Sequence, residues 1–281
     1  MMNRRNIQKL KAQPTSDGDG VKIARIAGFD HPDFSPFLMI DELKSDDRKD
    51  YVGGFPPHPH RGIETLTYML SGHFQHKDHM GNVGELRTGG AQWMAAGRGV
   101  IHSEMPIMEN GQLHGFQIWI NQPAKHKMSP ARYKDFQPET ITEVPIGKHG
   151  VVRVIAGEIA LDGTSIQGPL LESSADISVA DIRSSQPLYV KVSLKPNYQV
   201  LIYVYKGNLE LAGTQFKAGE MALCRATDLE TLRLDHETGL LLLSGAPINE
   251  SIVHYGPFVM NSEQEIMQTI QDYNSGVFET Y

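Results

Sequence analysis

Two stretches of this 281-residue chain carry side chains whose types and spacing suit metal chemistry. The first is Pro56-Pro57-His58-Pro59-His60-Arg61-Gly62-Ile63-Glu64, and the second is Gly97-Arg98-Gly99-Val100-Ile101-His102-Ser103-Glu104. Alternate side chains of an extended strand share a face. His58 and His60 therefore point the same way, and so do His102 and Glu104. Glu64 has the parity of the first pair, provided that no bulge intervenes. Two such strands side by side would converge three imidazoles and a carboxylate on one ion. That donor set suits iron, manganese, cobalt, nickel, copper or zinc. Four protein ligands around a six-coordinate ion would leave two positions for water, substrate or oxygen. A single His-x-His has many other uses. The second pair, with its Gly-x-Gly turn, is what turns the reading toward a metal. Pro56, Pro57 and Pro59 lack backbone donors, which confines the first stretch to a strand edge or entry. That suits a site at the rim of a barrel.

The elements that must position these residues read as β-strands. The chain has 27 Gly and 16 Pro, spread as frequent punctuation between short β-branched and aromatic runs. Examples are Thr65–Leu70, Gln117–Ile120, Val151–Ile155 and Val200–Tyr205. Many short strands between turn residues predict an all-β sandwich or barrel. Ser262-Glu263-Gln264-Glu265 is a capping-box pattern, and Ile266, Met267, Ile270 and Tyr273 follow at helical spacing. An amphipathic helix is predicted there. Tyr68–Gly72 can be laid over Tyr203–Gly207, an offset that suggests two copies of one β-unit. This divides the chain into an N-terminal domain of residues 1–140 and a C-terminal domain of residues 141–281. Eight of the twelve histidines fall in residues 58–126 and only two in 150–281. Any metal site belongs to the first domain, and the second is expected to lack ligands.

Composition excludes several classes. The net charge of −7 argues against a general nucleic-acid binder. Arg4, Arg5, Lys9 and Lys11 read as a solvated arm. Cys224 is the one cysteine, so cysteine-based zinc sites and internal disulfides are excluded, and it reads as a small buried residue. No apolar run approaches a spanning helix and no apolar stretch follows the basic start. The default expectation is a soluble, cytoplasmic chain. Neither a phosphate-binding loop nor a nucleophile elbow is present. Asp17-Gly18-Asp19-Gly20 reads as a turn into a strand. His73, His76 and His79 read as solvated residues of a hairpin connection, and His114 as a packed or hydrogen-bonded histidine. Trp93, Met94 and Trp119 read first as core. If a cavity opens beside the ion, Trp93, Met94 and Gln117 are the residues expected to line it.

The stretches His58–Thr65 and Gln92–Pro106 resemble the signature of the pirin family in the cupin superfamily. The likeness extends to Asp19-Gly20-Val21, Pro36–Glu42 and Tyr255–Asn261, and so covers about residues 18–275. The resemblance implies a bicupin of two β-barrels, with metal in the N-terminal one only. It implies His58, His60, His102 and Glu104 as ligands, usually around iron(II), and leaves Glu64 a nearby structural role. Some members of the family are implied to be quercetin 2,3-dioxygenases, which open the flavonol heterocycle with oxygen and release carbon monoxide. In such an enzyme Glu104 would be the catalytic base. Others act as iron-dependent partners of transcription factors or metabolic enzymes. A shared fold does not choose between these. The expectation is an oxygenase of a flavonol or other phenolic, with no nucleic-acid or membrane partner, as a monomer. The alternative is an iron-dependent regulator that binds a protein.

Overall fold

A computed structural model describes residues 6–108 and 111–280. Strands dominate, and they form two barrels in succession. The large sheet of the first barrel has seven strands in the order Arg132–Phe136, Ala91–Ala95, Ile63–Ser71, Leu113–Asn121, Phe37–Ser45, Val21–Ala27 and Gln13–Asp17. Facing it are four strands in the order Phe55–His60, Val100–Pro106, His73–Asp78 and Val83–Arg87. The second barrel repeats the plan. Its large sheet runs Gln8–Lys11, Glu220–Arg225, Gln199–Lys206, Thr238–Gly245, Ile177–Ser184, Gly150–Ala156 and Glu143–Ile146. The two runs that suggested a repeat, around Tyr68 and Tyr203, occupy the same third place in their sheets.

One strand of each large sheet shows how the sequence builds two faces. Along Ile63–Ser71, Leu66 and Tyr68 turn toward the other barrel and join the shared core with Phe116, Ile118, Leu201 and Tyr203. Thr65 and Thr67, of the opposite parity, turn into the first barrel. The shared core also holds polar links. Tyr68 and Tyr205 both donate to Asp181, at 2.8 and 2.6 Å, and Tyr203 donates to Glu42 at 2.6 Å. His114 meets the same Glu42 at 2.8 Å, which agrees with its reading as a hydrogen-bonded histidine. The interior of the second barrel is filled by a hydrophobic cluster that includes Val190, Ile202, Leu232 and Leu242. Cys224 belongs to it, and burial pushes its thiol up to about 12.

The ends of the chain are exchanged between the barrels. Gln8–Lys11 pairs with Glu220–Arg225, so Lys9 and Lys11 belong to a strand of the second barrel rather than to a free arm. Arg4 and Arg5 lie outside the described residues. The C-terminal segment returns to the first barrel. A hairpin of Val253–Tyr255 and Phe258–Met260 is followed by the predicted helix, Glu263–Asn274. The cap forms at the predicted residue, since Ser262 accepts from the Glu265 amide at 3.3 Å, while Glu265 reaches one residue further back than a capping box and accepts from the Asn261 amide at 2.8 Å. Arg61, almost fully buried, ties helix to barrel by donating to Asp272 at 2.7 Å and Thr269 at 3.2 Å. No helix among the described residues is long and apolar enough to cross a membrane.

Candidate metal centre

The strand Phe55–His60 is the edge of the four-stranded sheet, which is why it tolerates three prolines. It pairs with Val100–Pro106 so that His58 lies directly opposite His102 and His60 opposite Val100. The register shifts between His102 and Glu104, which places Glu104 opposite Phe55. The ligand atoms that His58, His60 and His102 offer lie within 4.8 Å of one another. Each ring has its Nδ1 beside a fixed neighbour. These are the Pro56 carbonyl at 2.8 Å for His58, the Pro257 carbonyl at 3.4 Å for His60, and His76 Nδ1 at 3.4 Å for His102. The Nε2 atoms are left for the common space. His102 Nε2 is buried and has no hydrogen-bond partner among the described residues. A buried, unpaired imidazole nitrogen is costly unless something binds it.

Burial drives His60 down to about 3, with His58 adding to the effect. Burial likewise holds His102 well below the ordinary histidine range, helped by His60, His58 and His76. Both rings are neutral at pH 7, the state a metal ligand needs. Three imidazoles beside a carboxylate fit a divalent transition metal.

Glu104 is buried beside the three histidines but is not part of their tight group. Its carboxylate accepts from Thr67 Oγ1 at 3.1 Å and from Gln117 Nε2 at 2.9 Å. Glu104, His58 and His60 line a cavity of about 770 Å³. Its walls are largely apolar, from Phe29, Met39, Leu43, Phe55 and Trp119. An aromatic run crosses it: His60 meets Trp119 edge-on at 5.1 Å, Trp119 meets Phe29 at 6.3 Å, and Phe29 stacks on His254 at 4.2 Å. Arg25 and Asp41 form a polar patch, joined by two hydrogen bonds of 2.8 and 2.6 Å. The C-terminal hairpin supplies His254, Gly256 and Pro257 to the rim.

Several expectations need correction. Gln117 lines the cavity, but Trp93 and Met94 do not. Trp93 packs in the core between barrels and Met94 in a cluster with Leu38, Ile63 and Val100. Trp119, read as core, is a cavity wall. Glu64 points away from the histidines. It is fully buried and accepts from Trp93 Nε1 at 2.7 Å, Ser173 Oγ at 2.8 Å, and Ser174 amide and hydroxyl at 2.7 and 2.6 Å. Parity fails because one strand ends at His60 and the next begins at Ile63. Gly62 makes the break with a φ of 78°, and a Cβ there would lie 2.0 Å from the Val259 carbonyl. Only glycine fits.

His76 is not solvated. It is 2% exposed, stacks on Tyr133 at 4.1 Å and faces Asp78 Oδ2 at 3.3 Å. His79 is half-buried and accepts from the Ile101 amide at 3.1 Å. The signal was available in the alternation of Phe74, His76 and Asp78 against His73, Gln75 and Lys77.

The family model described as Pirin matches residues 20–120, and the Pirin C-terminal cupin domain matches 179–279. A Vibrio cholerae protein provisionally named quercetin 2,3-dioxygenase is 61% identical over 98% of this chain and 97% of its own length. The chain belongs to the pirin family. Its two barrels are cupin domains. The crystal structure of a quercetin 2,3-dioxygenase from Acinetobacter baumannii superimposes with a TM-score of 0.88, covering 96% of each chain at 29% identity. The fold is shared with the bacterial pirin YhhW of Escherichia coli, crystallised in complex with nickel(II). The TM-score there is 0.65 at 21% identity, over 86% of this chain and all of that one.

Proposed function

We propose that this pirin is a metal-dependent dioxygenase of the quercetin 2,3-dioxygenase type, which opens a flavonol heterocycle with oxygen and releases carbon monoxide. The observation that carries the reading is the opening of the histidine group onto an apolar-walled cavity of about 770 Å³. That volume lies within the range of small-molecule sites, roughly 300–1,000 Å³. A regulator that signals only through its surface has no need of such a space. His58, His60, His102 and Glu104 would hold one divalent metal, with iron(II) as our assignment. When bound, it supplies Lewis-acid and redox chemistry.

The chain's own residues account for binding and proton transfer. Phe29, Phe55 and Trp119 offer flat apolar contacts to the fused rings. The Arg25–Asp41 pair offers polar contacts to ring hydroxyls. Glu104 takes the proton of the flavonol 3-hydroxyl as general base, which demands hydrogen-bond reach. Thr67 and Gln117 hold its carboxylate toward that task. The test is anaerobic loading with iron(II), followed by quercetin and oxygen. Loss of flavonol absorbance with release of carbon monoxide is the expected result. Full metal occupancy without turnover overturns the assignment and favours a binding role.

A further inference from the structure

His102 differs from the other two histidines in what fixes it. His58 and His60 turn Nδ1 to backbone carbonyls, whereas His102 turns Nδ1 to another imidazole, His76. A carbonyl only accepts, so it dictates a proton on Nδ1. An imidazole nitrogen can donate or accept, so something else must settle the direction of the His102–His76 contact.

We infer that Asp78, acting through His76, sets the tautomer of His102 and so holds its Nε2 lone pair ready for the metal. The inference rests on the reading of His102 as a ligand. Asp78 Oδ2 stands 3.3 Å from His76 Nε2, and the Asp78 side chain is fully buried. A carboxylate there accepts only, so His76 carries its proton on Nε2. His76 Nδ1 is then an acceptor, and the facing His102 Nδ1 must donate. That leaves His102 Nε2 as a bare lone pair, at the one atom of the ring that is buried without a partner. The reverse arrangement fails twice. It would aim a lone pair of His76 at a carboxylate, and bury a His102 N–H with nothing to accept it.

The rest of the pocket keeps this relay in place. Tyr133 stacks on His76 with ring planes 15° apart, which fixes the ring. The Met80 and Asn82 amides both donate to Asp78 Oδ1 at 3.0 Å, and Asn82 Nδ2 donates to Oδ2 at 2.8 Å. His76 and Asp78 are positioning residues, because they would act on a bound ion only through His102. Partners of this kind are typically worth about 10- to 100-fold in metal affinity.

The geometry makes Asp78→Asn an informative variant. The two backbone amides require an oxygen at the Oδ1 position, so the new NH₂ takes the Oδ2 position and donates to His76 Nε2, and the Asn82 side-chain amide turns over to present its oxygen there. The relay then reverses, and His102 carries its proton on Nε2. His76→Phe is the second variant, keeping the stack on Tyr133 while removing the relay. The readouts are ¹⁵N–¹H correlation spectra of the histidines in metal-free protein and nickel(II) titration, neither of which needs substrate or turnover. Expected is an Nδ1–H tautomer of His102 in the parent and an Nε2–H tautomer in Asp78→Asn, with nickel(II) affinity lower by about 10- to 100-fold. His76→Phe should give mixed tautomers and a smaller loss. An unchanged His102 tautomer with unchanged nickel(II) affinity in either variant overturns the inference. Failure of the quercetin assay alone would leave these results standing, since they report on the ligand and not on the reaction.

Discussion

Where the first barrel sets His58 against His102, the strands in the same places of the second set Val190 against Leu232 and Leu188 against Leu234. Both pairs are antiparallel, but the first ladder shifts register after His102 and the second, Leu188–Ser193 against Thr231–Leu234, does not. The first barrel gives up apolar filling for three imidazoles, a carboxylate and a cavity. The second fills the same volume with aliphatic residues. It has a rim cavity of its own, about 690 Å³, but the charges there satisfy one another: Lys195 donates to Asp176 at 2.9 and 2.8 Å, and Tyr198 donates to it at 2.5 Å. The difference teaches that one strand plan can carry a polar histidine group beside a cavity in one copy and a hydrophobic filling in the other.

Four experiments press on that division of labour. The largest effect is expected at Glu104. Glu104→Gln should lower flavonol turnover by about 10²- to 10⁴-fold, the usual worth of a general base, while melting temperature stays close to the parent. A variant with full turnover would remove the base from the first barrel. Next is the aliphatic filling. Leu242→Ala should cost about 2–5 kcal/mol in chemical denaturation, with metal stoichiometry unchanged. A loss of metal in the folded variant would show that the barrels are not separable in function. Third is the seam between them. Glu64→Gln puts an amide donor among the donors of Trp93, Ser173 and Ser174, and should cost about 1–3 kcal/mol. Its metal affinity should equal the parent's, whereas a large drop would restore Glu64 as a ligand.

The smallest effect concerns the C-terminal helix. Burial would raise the Asp272 carboxyl, but hydrogen bonds from Gln268 and Arg61 outweigh it and hold it below its ordinary 3.8. The folded value is therefore the lower one. The contribution of Asp272 is complete above pH 3.8 and is lost as pH falls through the folded value. It should be on the order of 1 kcal/mol, as a partly exposed pair. The hydrogen-exchange protection factors across Glu263–Asn274, taken relative to the intrinsic rate at each pH, should fall at low pH in the parent, and Asp272→Asn should flatten that dependence. Equal profiles would show that the helix is held by its apolar contacts alone.

Much of this was legible in the chain. Period-two alternation gave the faces of His58, His60 and His102, because their strands are regular between His58 and His102. The capping box gave the helix, since its hydrogen bonds are local. Apart from His76, whose strand alternation marked the buried face, the rest turns on contacts that are decided at long range. The parity of Glu64 breaks at a turn at Gly62, whose need for glycine comes from Val259, nearly two hundred residues away in sequence, while the structural role given to Glu64 holds. His76 was hidden by its polar neighbours, although Tyr133 and Asp78 enclose it. Trp93 and Trp119 could not be told apart, because which face of a sheet meets the second barrel is not written in either strand.

The exchanged ends give the candidate metal centre a schedule. His58, His60, His102 and Glu104 are all made before the second barrel exists, yet the carbonyl that fixes His60 belongs to Pro257 and the ion pair that buries Arg61 belongs to Asp272. Lys127 waits as well, because one of its three acceptors is the Val259 carbonyl at 2.9 Å. The chain must therefore be translated past the helix before the first barrel is finished. A ribosome-bound intermediate holding all four of these residues would still lack the part of the rim that the tail supplies.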